Sequence, residues 1–394
     1  MSLLVLTSDD VEAIICAFQS QNLQLIMAKV FSRFSLLEKK SYSDKSIDFL
    51  PDISMPERLS IATANHTALF MPARIGSHNP ASLGDTAVKV VCVSKEGSSR
   101  GLPSSTLVIN EETGSIKAIV NSRKLTAIRN AAGSLLSTCL MKCFQPQSIV
   151  AFGAGQQIEA HLDLHIQHFY SIKRCTIINR SRNNRALQLE KNIKTRFPHV
   201  ECNLLAASSD SSDTARRTEA LRSADLIICA TSSATPLFSS DHVKTGTHII
   251  LIGSYTPQMQ EVDGNLIRRA LLSGTVLVDS KRDCLREAGE LIGAGLTSKE
   301  LTEIGDLIPT DLQGNIEMEK YEALMGGIPV EETPKDIERT FDGPVTIFKS
   351  VGLGIQDVAI ASAVVEKALD QGKGISVAGY DRPASERGHI SGAE

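Results

Sequence analysis

The chain has 394 residues, 42% of them apolar and 22% charged, with a formal net charge of −4. That length exceeds what one small core organises, so two domains are the starting expectation for what is otherwise an ordinary globular composition. The mild acidity excludes a basic footprint for nucleic acid or an anionic membrane, and no apolar run approaches the roughly 20 residues that span a bilayer.

The opening stretch, MSLLVLTSDDVEAII, lacks the basic n-region and small-residue cleavage site of a secretory signal, and Asp9 and Asp10 interrupt it early. Eight cysteines with no C-x-x-C pair are too sparse for a disulfide scaffold. Cys92, Cys175 and Cys229 sit inside apolar runs and read as buried thiols, which suits a reducing compartment and makes the cytoplasm the expected location.

Further along, AVKVVCVS and STLVINEETGSIKAIV read as strands joined by tight turns, the second pair through NEETG. A helical stretch, TAIRNAAGSLLSTCLMKCF, follows and stops before Pro146. The texture then changes. SIVAF (148–152), CTIIN (175–179), DLIICA (225–230), HIILIG (248–253) and TVLVDS (275–280) are short, doubly apolar strands separated by helical stretches. This alternation predicts a parallel sheet covered on both faces, an α/β Rossmann-type doubly wound domain over 146–335. Near the end, GIQDVAIASAVVEKALDQG reads as an amphipathic helix closing at Gly372, and the polar residues 381–394 read as a disordered tail.

Within SIVAFGAGQQIEAH, Gly153 permits a tight turn after the strand and Gly155 lets a pyrophosphate approach the backbone. Ala154 lies between them, and Gln156 and Gln157 open a helix whose N-terminal N–H groups face the phosphates. The third glycine position of the usual fingerprint holds Ile158. An NAD-preferring site places an acid at the end of the next strand, but here the residues are Asn179, Arg180, Ser181 and Arg182. Guanidinium and short polar groups suit a 2′-phosphate, so NADP(H) is the expected cofactor and NAD(H) the alternative. The plainer account of the same residues is a solvated basic loop.

A co-linear set of segments now resembles the ornithine cyclodeaminase/mu-crystallin family. They are LFMPAR (69–74), AVKVV (87–91), LTAIRNAAGSLLS (125–137), FGAGQQ (152–157), INRS (178–181), VKTGTHIILIGS (243–254), VDS (278–280), EAGEL (287–291) and TIFKSVGLGIQD (346–357). The resemblance covers roughly residues 55 to 370. It implies an α+β substrate-binding and dimerisation domain built from both chain ends, 1–145 and 336–380, beside the Rossmann domain, and a homodimer acting on a small amino or imino acid.

The resemblance also implies site residues. Arg58 and Arg129 align with positions that bind the substrate carboxylate, and Lys89 with a lysine that contacts substrate and takes part in proton transfer; Met71 and Tyr255 are further substrate-side positions. A guanidinium fork suits a carboxylate, and a lysine inside an apolar strand is a natural acid–base group; its ordinary alternative is a strand-edge lysine. Thr231, Ser232 and Ser254 end strands near the cofactor. Val351, Gly352 and Leu353 face the nicotinamide, brace its pocket or form a buried core loop.

One departure carries weight. Cyclodeaminases of the family have an aspartate shortly after the strand that reads HIILIGS here, and Tyr255 stands at that position. A phenol with a pKa near 10 is a poor base at neutral pH, and Asp263 looks like a helix-start residue rather than a substitute. The first expectation is therefore an NADPH-dependent reductase of the C=N bond in an α-imino acid, resembling a ketimine reductase and converting a cyclic imino acid to a cyclic amino acid. The alternatives are a cyclodeaminase with tightly bound NAD and a non-catalytic ligand-binding protein like mu-crystallin. No metal is expected: His161, His165 and His168 share a helix face without further ligands and read as rim residues. Cys139 and Cys143, one turn apart, read as core packing. The Ser/Gly-rich stretch 97–106 reads as a loop, and 311–344 as an insertion.

Overall fold

A computed structural model describes residues 2–41, 53–77, 83–95, 102–143, 145–207, 211–311, 314–326 and 340–381. The tail beyond 381, residues 312–313 and 327–339 of the 311–344 insertion and residues 97–101 of the 97–106 stretch lie outside the described residues.

The chain begins with β1 (Leu3–Leu6), α1 (Ser8–Ile15) and α2 (Ser20–Ser41). Thr7 starts α1 through a capping box, its hydroxyl accepting from the Asp10 amide while the Asp10 carboxylate accepts from the Thr7 amide. Strands β2 (Ile53–Ser54), β3 (Leu59–Ala62), β4 (His66–Ile75), β5 (Asp85–Ser94), β6 (Ser104–Ile109) and β7 (Ile116–Asn121) follow. The β6–β7 turn is the predicted NEETG: the Asn110 side chain accepts from the Glu112 and Thr113 amides, and Gly114 takes φ 73°. Next come α3 (Leu125–Leu140), β8 (Ser148–Phe152), α4 (Gln156–His168), β9 (Arg174–Asn179), α5 (Asn184–Arg196), β10 (Glu201–Ala206), α6 (Ser211–Ser223), β11 (Leu226–Cys229) and β12 (His248–Leu251). The remainder holds α7 (Gly264–Leu271), β13 (Val276–Val278), α8 (Lys281–Glu287), α9 (Gly289–Gly293), β14 (Leu301–Glu303), α10 (Met318–Met325), β15 (Thr346–Lys349), α11 (Gly354–Asp370) and β16 (Ile375–Val377). Asp263 caps α7, accepting from the Leu266 amide at 2.9 Å.

Two compact units form. The first comprises Met1–Gln19, Ser46–Thr126 and Gly354–Glu394. Its mixed sheet runs β16-β1-β7-β6-β5-β4-β2, with β3 also paired to β4. β5 alternates buried and half-buried positions, the period-two pattern of a strand with one covered face. The cover is α11, which packs on β4, β5, β6 and β7 and buries Ile355, Val358, Ile360, Val364 and Val365.

The second unit comprises Ser20–Lys45 and Ala127–Leu353. Its all-parallel sheet runs β10-β9-β8-β11-β12-β15-β13-β14. Strands β8, β11 and β12 are buried at every position, as strands with helices on both faces must be. Strand order reverses between β8 and β11, and ligands of such sheets bind at that switch point.

The unit boundaries differ from the sequence division at 145 and 336. α2, nearly all of α3 and β15 cluster with the parallel sheet. The reasons are local fits. Gly305 lies so close to α2 that a Cβ there would sit 1.9 Å from the Phe31 carbonyl oxygen. α3 hydroxyls bond to α4 histidines, and the four-residue TIFK strand fills the place between β12 and β13.

Candidate active site

A cavity of about 780 Å³ opens in the second unit where β8, β9 and β11 end. The predicted Gly153, Ala154, Gly155, Asn179, Arg180, Ser181, Thr231 and Ser232 line it. Gly153 has φ 112°, and a Cβ there would press on the Ala230 carbonyl at 3.1 Å. Gly155 is the N-cap of α4 with no side-chain cap bond, and a Cβ on it would meet nothing within 4 Å. Free space thus fronts a helix N-terminus whose first amides lack a side-chain acceptor, which fits a phosphate group. Arg185 and Arg217 join Arg180 in the wall, and among the described residues no carboxylate lines it. Phe152 and Phe238, stacked at 4.9 Å between centroids, add an apolar side.

Other expected cofactor residues lie elsewhere in this unit. Arg182 is turned to Asp213, at 3.5 Å. Gln157 accepts from Asn130 at 3.2 Å, and Asn130 accepts from the buried Arg129 guanidinium. Gly352, at φ 85°, lies against that guanidinium: a Cβ there would sit 2.6 Å from Nη1. The structure therefore gathers Arg129, Asn130, Gln157 and Gly352. Its amide is held by Asp279, which also accepts from Ser350, both at 2.7 Å. Val351 and Leu353 pack inward beside it.

Beneath the strand ends lies a buried charge network. Glu261 accepts from the Thr231 amide and hydroxyl and from the Gly253 amide, at 2.7, 2.9 and 2.8 Å, pinning the ends of β11 and β12 together. Lys349 donates to the Ser254 carbonyl and hydroxyl at 2.6 and 2.7 Å and lies 3.4 Å from Glu290. Burial pushes the carboxyls of Glu261 and Asp279 above their usual range, although the Lys349 charge opposes it. Ser254 is thus buried in a structural tie, while Tyr255, the next residue, is 45% exposed.

Two of the three histidines on α4 are not at a rim, contrary to the sequence reading, while His168 is only partly buried. His161 and His165 are fully buried, bonded to Ser134 at 2.9 Å and Thr138 at 3.0 Å of α3. His248 meets Ser137 at 3.2 Å. Burial pushes His161 down to about 4 and His165 and His248 to about 3, so all three are neutral packing groups. Among the described residues no group of three or more His, Cys, Asp or Glu is placed to hold a metal.

In the first unit Lys89 stands mid-strand in β5, between Met71 of β4 and Thr106 of β6. It is no edge lysine: its side chain is 3% exposed. Nζ donates to Asp357 Oδ1 of α11 at 3.0 Å and to Thr126 Oγ1 at 2.6 Å. Met71, directly opposite across the strand pair, shares its face of the sheet. Arg58 lies exposed on the segment between β2 and β3.

A family model for the ornithine cyclodeaminase/mu-crystallin family matches residues 52–372. The chain belongs to this family. Among its relatives, the mouse ketimine reductase mu-crystallin is 27% identical over 80% of this chain and 85% of its own length. The Delta(1)-pyrroline-2-carboxylate reductase of Colwellia psychrerythraea is 30% identical over 82% of this chain and 92% of its own. The fold matches that of the Thermococcus litoralis Delta(1)-pyrroline-2-carboxylate reductase solved with NADH and L-proline, with TM-score 0.70, 22% identity, and coverage of 95% of this chain and 100% of that one.

Several residues of this family member escaped the sequence reading. Asp357 sits in the quoted GIQD segment, and only its contact with Lys89 singles it out. Arg185 and Arg217 look like ordinary helix charges until the fold brings them to the cavity wall. Glu261 follows Gln260 and Lys349 precedes Ser350, so neither has the apolar neighbours on both sides that mark Lys89, and only their buried contacts single them out.

Proposed function

We propose that the protein is an NADPH-dependent oxidoreductase that reduces the C=N bond of an α-imino acid, converting a cyclic imino acid to a cyclic amino acid. The observation that carries this reading is Lys89, a buried cation held between a carboxylate and a hydroxyl in the middle of a sheet. Burying a charge carries a desolvation cost even when it is paired, and a buried lysine oriented by a carboxylate and a hydroxyl is a candidate for acid–base chemistry. The names of the mouse and Colwellia relatives support C=N reduction. Tyr255 in place of an acid disfavours the water activation that deamination requires.

The roles follow from the chemistry. Arg58 and Arg129 bind the substrate carboxylate, for which a guanidinium fork is the matching group. Lys89 holds a proton on Nζ for the substrate nitrogen. Asp357 and Thr126 accept from the same Nζ and fix its direction, so the ammonium is oriented before substrate arrives. When bound, the reduced nicotinamide supplies the hydride that adds to the imine carbon. The Gly153–Gly155 turn and the amides of α4 hold its pyrophosphate, and Arg180 with Ser181 holds the adenosine end. A wall of three guanidinium groups without a described carboxylate favours the 2′-phosphate form over NAD.

The test mixes purified protein with NADPH and Δ1-pyrroline-2-carboxylate or its six-membered homologue, following the reduced-nicotinamide absorbance. Stoichiometric oxidation is expected. Ammonia release from ornithine without net cofactor turnover, or tight binding with neither reaction, would overturn the reading.

A further inference from the structure

Two arginines lie near the end of β9, and the register of the neighbouring strand sets them apart. β10 pairs with β9 so that Ala206 lies opposite Asn179, the residue that opens the Asn-Arg-Ser-Arg loop. The Ala207 amide donates to the Asn179 carbonyl at 2.8 Å, which locks the two strand ends side by side. Arg217, on the second turn of α6, donates through Nη1 to the Ala206 carbonyl at 3.0 Å and through Nη2 to Thr214 Oγ1 at 3.1 Å. Its guanidinium is thereby tied to the end of β10, the strand next to β9, and Arg217 lines the same cavity as Arg180.

Arg182, the second arginine of the loop, behaves oppositely. It is drawn to Asp213, which also faces Arg216 at 3.6 Å and accepts from the Ala206 amide at 3.2 Å. That carboxylate is paired with those two arginines and does not line the cavity.

We propose that Arg217 is a specificity-determining residue, the guanidinium that pairs with Arg180 on the 2′-phosphate, and that Arg182 has no part in that choice. The proposal rests on the NADP reading and narrows it. A cation at this place acts on the phosphate and not on the adenine, ribose or pyrophosphate shared by both nucleotides, so its removal changes the ratio of affinities.

The experiment is calorimetric titration of the whole protein with 2′,5′-ADP and 5′-ADP, alongside kcat/KM with NADPH and NADH. Wild type is expected to prefer 2′,5′-ADP. Arg217→Gln lowers its affinity by about 10- to 100-fold and leaves 5′-ADP nearly unchanged, whereas Arg182→Gln leaves both unchanged. Arg217→Lys, which keeps the charge, retains most of the preference and guards against a folding defect in the Gln variant. Equal weakening of both nucleotides by Arg217→Gln, which is the signature of adenine stacking, overturns the proposal, as does no change in either. A preference abolished by Arg182→Gln overturns it too. If wild type shows no preference, the NADP reading itself falls; if wild type prefers the 2′-phosphate and Arg217→Gln keeps that preference, this inference falls alone.

Discussion

Each unit buries a lysine in an apolar strand, and the two surroundings differ. Lys89 in the first unit stands mid-strand in β5, where its Nζ donates to the Asp357 carboxylate and the Thr126 hydroxyl. Lys349 in the second unit ends β15, where a backbone carbonyl, a serine hydroxyl and Glu290 surround its Nζ, and Glu261 and Asp279 also feel its charge. The Lys349 partners belong to loops that must be held together at the strand ends. The Lys89 partners orient one side chain on a sheet face. Burial of a charge therefore does not identify chemistry by itself, and the partners decide whether it ties backbone or presents a proton.

The contrast is broken most directly by removing each cation together with its carboxylate. Lys89→Met with Asp357→Asn removes both charges of this pair, and kcat/KM for the imine is expected to fall by about 10²- to 10⁴-fold while the circular-dichroism spectrum stays that of the folded protein. Lys349→Met with Glu290→Gln stays within about tenfold of wild type, the range of a modestly shifted loop. Equal losses in both double variants would erase the distinction.

Lys349→Met alone strands Glu290 in the interior and lowers unfolding free energy by about 3–5 kcal/mol. Urea unfolding measures this, and the added Glu290→Gln change recovers part of the loss.

Acid sharpens the comparison further, because the buried neutral histidines described above all belong to the second unit. Their folded values, about 4 for His161 and about 3 for His165 and His248, lie below the ordinary 6.5. The unfolded chain therefore binds protons first. The stability from neutral burial is complete above pH 6.5 and is lost as pH falls towards 4 and then 3. Each histidine costs up to about 1.4 kcal/mol per pH unit in that window. Hydrogen exchange at pH 5 should show α3 and α4 opening before the β4–β7 sheet. The reverse order would refute the assignment of acid sensitivity to these rings.

Much of the architecture was legible from residues 148 to 280. The strands of the parallel sheet announce themselves as short apolar runs, because covering both faces leaves no room for polar alternation. The glycine turn was legible for the same local reason: Gly153 occupies a backbone region that side chains avoid. β10, β14 and β15 were not, since three- to six-residue strands with polar ends carry little periodic signal. His161 and His165 were misplaced because a face shared at i and i+4 says nothing about what covers it. Here the cover is α3, whose serines and threonine supply the bonds that allow burial.

By itself the sequence determined what is decided over a few residues: the turn after β8, the hairpin at Asn110, the cap at Asp263 and the oddity of a lysine between valines. Backbone propensity and short-range hydrogen bonding settle these wherever the segment ends up. Only the tertiary structure decided which charges meet. Asp357 reaches Lys89 across 268 positions of chain, and Arg217 reaches the end of β9 through the register of β10. Ion pairing depends on distance in space, and strand order with helix packing sets that distance, so no local pattern carries it.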